Sequence, residues 1–330
     1  MERRALLKNT ALAGVAVISP FRKNFIAQNN KPIVQNINGY RRFTFGDLEI
    51  TIVTDGHIIQ QPVQPFLAPR GNAQEVRKLL EANFRPTDFA DMPMNVMIVH
   101  SKDKLVLLDC GIGVFGDANG AWLPKSLADA GFKPEDFTDI IISHAHPDHI
   151  GGLVNKQQQL IYPNANIHIG KTEYDFWVQA TLNDFTKSGL WNEKAFLQQL
   201  LGGIKQVLQT IKPKINFLDY DKGLYNIFSF ELAPGHTPGL TLTTITSGNE
   251  KMIYIADLIH SDVLLFPHPE WGFSGDTDID LAVTTRKKVL QQLASEKIKI
   301  FAYHLPWPGL GYTAVHDNAF AWVPEVFSTP

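Results

Sequence analysis

Only one cysteine, Cys110, occurs in the 330 residues, so no intrachain disulfide can form and cysteine usage says nothing about redox compartment. No block of lysine and arginine stands out, and the formal net charge is −3, which leaves nothing to draw the chain to nucleic-acid phosphate. Past the first twenty residues there is no apolar run of membrane length either, so a stable membrane anchor is not expected. What is present is ordinary globular composition, 44% hydrophobic and 19% charged, enough chain for one large domain or two small ones.

The first residues carry their own pattern. Glu2-Arg3-Arg4-Ala5-Leu6-Leu7-Lys8 precedes a mildly apolar run from Ala11 to Ile18 and then Ser19-Pro20. A basic head followed by an apolar run too short to span a bilayer makes a secretory signal, and the paired arginines resemble a twin-arginine export signal. The expected division is an export signal over 1–27, a flexible Gln/Asn-rich arm over 28–39 and a single folded domain over 40–330. That predicts an exported protein, periplasmic or secreted.

Within the domain, period-two runs bounded by Gly, Asp and Pro predict strands over 42–53, 94–100, 104–108, 139–143, 165–169, 215–218, 224–232, 241–246, 252–255 and 298–302. Helical spacing of apolar positions predicts helices over 73–83, 124–130, 192–211 and 279–294, with another starting at Lys171. Strands fall in two groups with helices after each, which suggests one α/β domain of two similar halves.

The densest chemistry is Ser143-His144-Ala145-His146-Pro147-Asp148-His149, directly after the apolar run Ile140-Ile141-Ile142. A buried strand ending in such a loop offers three imidazoles and a carboxylate, ligands suited to zinc, cobalt, manganese or iron. Neighbouring side chains on a tight loop diverge, so two metals fit better than one. His236, Asp257 and His304 each stand where a predicted strand gives way to a loop, the place where ligands collect in layered α/β proteins. Together these residues supply five histidines and two carboxylates, enough to hold two divalent ions and leave room for water and substrate.

In that order, His144-Ala145-His146-Pro147-Asp148-His149, Gly235-His236-Thr237-Pro238-Gly239, Ala256-Asp257 and Tyr303-His304 resemble the metallo-β-lactamase superfamily, over roughly residues 40 to 325. The resemblance implies a four-layer αββα sandwich, with His144, His146 and His236 holding one metal and Asp148, His149 and His304 the other. Asp257 would bridge them. It also implies that Asp55 and Asp109 are carboxylates that orient the metal-bound imidazoles. Lys104 to Asp109, Val114-Phe115-Gly116, Asp175-Phe176-Trp177, Arg286-Lys287-Lys288 and His304 to Gly311 look like the branch of methyl parathion hydrolases and N-acyl homoserine lactonases, whose members are typically homodimers.

His260, three residues after Asp257, stands where organophosphate hydrolases have an apolar residue and where lactone-hydrolysing relatives resemble this chain. The expected function is therefore opening of lactone rings, N-acyl homoserine lactones foremost, with organophosphate triesters or aryl esters as the alternative substrates. Two divalent ions, zinc foremost, sharing one water would lower its pKa enough to supply a bridging hydroxide near neutral pH. Loss of an alkoxide from a lactone needs a proton donor, and Asp148 or His260 could serve. Phe115, Trp177, Trp191 and Phe196 are candidates for an apolar wall, and His268 could line the cleft.

Overall fold

The structure is a computed structural model that describes residues 39–327. The export signal and all but the last residue of the arm lie outside the described residues.

Thirteen strands form two sheets among the described residues. The first takes β1 (Arg41–Phe45), β2 (Leu48–Gln60), β3 (Ala90–His100), β4 (Leu105–Leu108), β5 (Asp139–Ile142), β6 (Asn166–Ile169) and β7 (Ile215–Phe217), side by side in chain order. The second takes β8 (Phe228–Leu232), β9 (Thr241–Ser247), β10 (Glu250–Tyr254), β11 (Lys299–Phe301), β12 (Leu310–His316) and β13 (Ala319–Pro324), also in sequential order. Six α-helices accompany them among the described residues: α1 (Ala73–Ala82), α2 (Leu123–Asp129), α3 (Pro147–Ile150), α4 (Lys171–Gln179), α5 (Lys194–Ile211) and α6 (Ile279–Glu296).

Pairing is antiparallel from β1 to β4 and parallel from β4 to β7. Parallel neighbours need long crossovers, and these carry helices α2 to α5. In the second sheet only β10 and β11 run parallel, joined through α6. Strands β4 and β5 are buried at every position, which explains why Val106-Leu107-Leu108 and Ile140-Ile141-Ile142 read as unbroken apolar runs rather than alternating ones. The sheets are tied at one end, where Asp47, in the tight turn between β1 and β2, donates its backbone N–H to Ser247 Oγ at the end of β9 at 2.7 Å.

The two expected groups of strands are the two sheets. Several elements differ, β3 among them, which starts at Ala90 rather than at residue 94. β2 runs on to Gln60, past the strand end expected at Val53, through a bulge between Thr54 and His57, with Gly56 at φ 94°. β8 starts at Phe228, because Tyr225 and Asn226 adopt positive φ and break the extended run expected from Leu224. The β12–β13 hairpin was not expected; it turns on Asp317-Asn318, with Asp317 at φ 51°.

Candidate metal centre

Each loop that carries a candidate ligand leaves the C-terminal end of a strand. Past β5 the chain bends at Ser143 to His146, and Pro147 opens α3 at the first helical position, where its missing N–H is no loss. Asp148 and His149 ride on that single turn. His236 follows β8, Asp257 follows β10 and His304 follows β11.

These loops converge. His144 Nε2, His146 Nδ1 and His236 Nε2 stand 2.9 to 3.1 Å from one another. Asp257 Oδ2 lies 3.3 Å from His236 Nε2 on that side and 3.3 Å from His304 Nε2 on the other. Asp257 Oδ1 is 3.0 Å from His149 Nε2, and Asp148 Oδ2 is 3.1 Å from His304 Nε2. Two groups able to hold a cation result, His144–His146–His236–Asp257 and Asp148–His149–Asp257–His304, and they share Asp257.

The far nitrogen of most of these rings is already engaged. His144 Nδ1 meets Ser143 Oγ at 3.0 Å, His149 Nδ1 meets Asp109 Oδ2 at 2.7 Å, His236 Nδ1 meets Asp276 Oδ1 at 3.0 Å, and His304 Nδ1 donates to Pro93 O at 2.9 Å. Outer partners of this kind fix which nitrogen faces a metal. On the inner side His149 Nε2 and Asp257 Oδ1 face each other at 3.0 Å in a geometry that makes no hydrogen bond, a costly state for buried polar atoms unless something else satisfies them.

Charge points the same way. Asp109, Asp148, Glu173 and Asp257 have no lysine or arginine partner among the described residues, and all but Asp148 are fully buried. Ionised, they carry four negative charges, the charge that two divalent ions would balance. Burial and the neighbouring His149 push His144 well below the ordinary imidazole range, and burial with His236 pushes His146 down to about 3. Both rings are therefore neutral, the state a metal ligand needs. Burial opposes a charge on His304, but Asp257 and Asp148 outweigh it and push that ring up to about 9. Asp148 is drawn down to about 2, because His149 and His304 outweigh its burial. The donor set, its unpartnered atoms and its charge all fit a pair of divalent cations.

A family model described as the Metallo-beta-lactamase superfamily matches residues 91–304. The chain belongs to the metallo-beta-lactamase superfamily. Among solved members of this fold, the dizinc quorum-quenching lactonase AidC, with the product N-hexanoyl-L-homoserine bound, is 52% identical, with a TM-score of 0.87 over 88% of this chain and 99% of that one. The hydrolase AbOPH, of the beta lactamase superfamily, is 27% identical, with a TM-score of 0.79 over the same shares of each chain. A curated N-acyl homoserine lactonase from Bacillus cereus is 24% identical over 265 residues, 72% of this chain and 92% of its own length.

The structure brings all seven candidate ligands of this superfamily chain together, and with them Asp109 and His260. Asp109 accepts from Ser143 N and Oγ, His149 Nδ1 and Tyr254 Oη, at 2.5 to 2.8 Å. His260 is buried, with Nε2 3.1 Å from Asp257 Oδ2 and its ring stacked 3.6 Å from Phe273. Burial pushes His260 down to about 4.

Asp55 is a correction. Its oxygens accept the backbone N–H groups of Ile112 at 2.6 Å and Leu123 at 2.7 Å, so it shapes the loop after β4 and orients no imidazole. The expected apolar wall also differs. Trp177 is fully buried, its ring 5.4 Å from that of His146, and it supports that ligand from behind rather than lining a cleft. Phe115 is buried beside Gly151 and Gly203, within the core. Trp191 and Phe196 are half-buried, and Trp191 lies under the Lys194 ammonium. His268 stacks on Trp271 at 3.9 Å and bonds Glu270 at 3.2 Å, and neither contact reaches the histidine cluster.

Three residues were missed in the sequence. Asp276 braces His236 and is itself held by Arg286 at 3.2 Å. Phe273 covers the His260 ring. Glu173, on α4, accepts four hydrogen bonds from the ligand-bearing loops and Trp177. No motif marks any of them, although Glu173 lies in the helical turn beside the quoted Asp175-Phe176-Trp177.

Proposed function

We propose that the chain is a dinuclear metal hydrolase that opens lactone rings, N-acyl homoserine lactones foremost, with zinc as the metal. The observation that carries this reading is Asp257, whose carboxylate reaches both ligand groups at once. The 52% identity with AidC over most of both chains supports the lactone as substrate class.

His144, His146, His236, Asp148, His149, His304 and Asp257 would hold two divalent ions, which would supply an activated water and a polarised carbonyl oxygen. The protein's own side chains do the rest. Asp109, Asp276 and Pro93 O hold His149, His236 and His304 in the orientation that aims their inner nitrogens at the centre. Asp148 keeps part of its surface open while most of the cluster is sealed, so substrate can approach on its side. Ring opening releases an alkoxide, which needs a proton before it can leave. Asp148 and His260, one beside His304 and the other beside Asp257, are placed to relay it, taking up the proton that the attacking water sheds, since near neutral pH Asp148 is ionised and His260 neutral.

The reading extends to a homodimer, on the resemblance to the lactonase branch, and to export under a twin-arginine-type signal, on Arg3-Arg4 and the apolar run that follows. The test is a panel of long-chain homoserine lactone, aryl ester and phosphotriester, run on enzyme of measured metal content. Lactone turnover well above the other two supports the reading; preference for the phosphotriester would transfer the site to the alternative chemistry.

A further inference from the structure

We propose that Glu173 is the positioning residue for the three-histidine half of the centre, setting how tightly the His144–His146–His236 group holds its cation; this rests on the two-metal reading above. Four donors fill its two oxygens. Oε1 accepts from Ala145 N at 2.8 Å and Trp177 Nε1 at 2.6 Å, and Oε2 accepts from Thr237 Oγ1 at 2.7 Å and Gly239 N at 2.9 Å.

Each donor belongs to a ligand or its support. Ala145 stands between His144 and His146 in the chain, and Thr237 follows His236. Trp177 packs its ring edge against the His146 ring at 5.4 Å. Gly239 approaches so closely that a Cβ there would collide with the Glu173 backbone, so the loop after β8 is seated directly on α4. One carboxylate thus ties two loops, separated by about ninety residues in sequence, into one triad of nitrogens.

Glu173 is fully buried and has no cationic side-chain partner among the described residues, an arrangement that costs free energy in isolation. Four neutral dipoles offset part of that cost, and a divalent ion in the triad it supports supplies the missing positive charge. The other half of the centre leans instead on Asp109, through His149. Asp109 reaches the triad at His144 alone among the described residues, through Ser143 and the His149 ring. Loss of Glu173 should therefore weaken one cation site and spare the other.

The test is zinc and cobalt titration of the full-length enzyme, with competition against a chelator, for the wild type, Glu173→Gln, Thr237→Val and Trp177→Phe. A glutamine amide must turn its NH2 toward two of the four donors, so Glu173→Gln should lower affinity for one ion of the two by about 10- to 100-fold. The second ion should keep wild-type affinity, and excess zinc should restore much of kcat while KM stays nearly constant. Thr237→Val and Trp177→Phe each delete one donor and should show a smaller loss at the same ion, which keeps the test valid if Glu173→Gln does not fold. Wild-type affinity for both ions in all three variants, or equal loss of both, would overturn the proposal. Wild-type protein that binds fewer than two ions would instead defeat the two-metal reading, a separate outcome.

Discussion

His236 and Arg286 share one buried carboxylate. Asp276 Oδ1 takes the imidazole Nδ1 at 3.0 Å, and Oδ2 takes the guanidinium Nη2 at 3.2 Å. Arg286, on α6, is itself fixed by Leu258 O at 2.7 Å and Pro269 O at 3.0 Å, and so holds the carboxylate that sets the tautomer and angle of a candidate ligand. Asp276→Asn should lower zinc affinity or turnover by about 10- to 100-fold, as losses of such outer partners do. Zinc titration and steady-state kinetics on the same preparation check it, and parity with wild type in both would remove Asp276 from the site.

The same pair makes a stability prediction. Arg286→Met leaves Asp276 buried without its cation, which typically destabilises by about 3–5 kcal/mol. Denaturant unfolding measures this directly. A loss below about 1 kcal/mol would mean that the ion pair is solvated when the protein breathes.

His146→Ala removes one of three converging nitrogens. One ion should be lost, and turnover should fall by more than the ~100-fold that outer-partner changes reach. Metal analysis of the purified variant beside its rate settles it: two ions and unchanged activity would defeat the assignment.

Chelation should destabilise the fold as well as silence it. Without cations, Asp109, Glu173 and Asp257 stay buried with no lysine or arginine partner, beside the part-exposed Asp148. A ligand present at about 100 times its Kd adds about 2.7 kcal/mol per site to folding stability. Thermal unfolding should therefore shift down on chelator and return on added zinc; an unmoved transition would place the ions outside the folded structure.

Asp55 makes a pH prediction independent of metal. Burial pushes its carboxyl from the ordinary 3.8 up to about 7, against the lowering effect of the Ile112 and Leu123 amides. A raised folded-state pKa contributes stability that is complete below pH ~4 and is lost as pH climbs to about 7. The unfolding temperature of the wild type minus that of Asp55→Asn should fall across this window and then level off. A difference that stays flat between pH 4 and 7 would show that Asp55 remains ionised throughout.

Much of this was legible because the local and global signals agree. The apolar runs of β4 and β5 are buried on both faces, and the histidine motif follows β5 with no intervening element, so strand and ligands could be read together. The β12–β13 hairpin was also partly within reach, since Asp317-Asn318 pairs two turn-forming residues that tolerate positive φ, although it lacks the glycine of the strongest hairpin signals. Asp276 and Glu173 were not. Each is a single acidic residue whose function exists only once chain segments tens of residues away have folded against it. Asp55 misled for the same reason: a carboxylate before glycine at a strand end looks alike whether an imidazole or a backbone amide finally reaches it.

His304 leaves a strand of the second sheet, yet its ring is held by the first. Pro93 O accepts its Nδ1, and Asn95, also on β3, donates to Ala302 O at 3.2 Å and Leu305 O at 2.7 Å on either side of it. The two halves of the molecule are thus riveted at the very spot where chemistry is proposed. Neither half could be exchanged for that of a relative without bringing along the strand that aims this imidazole, so the halves can diverge only in step with each other.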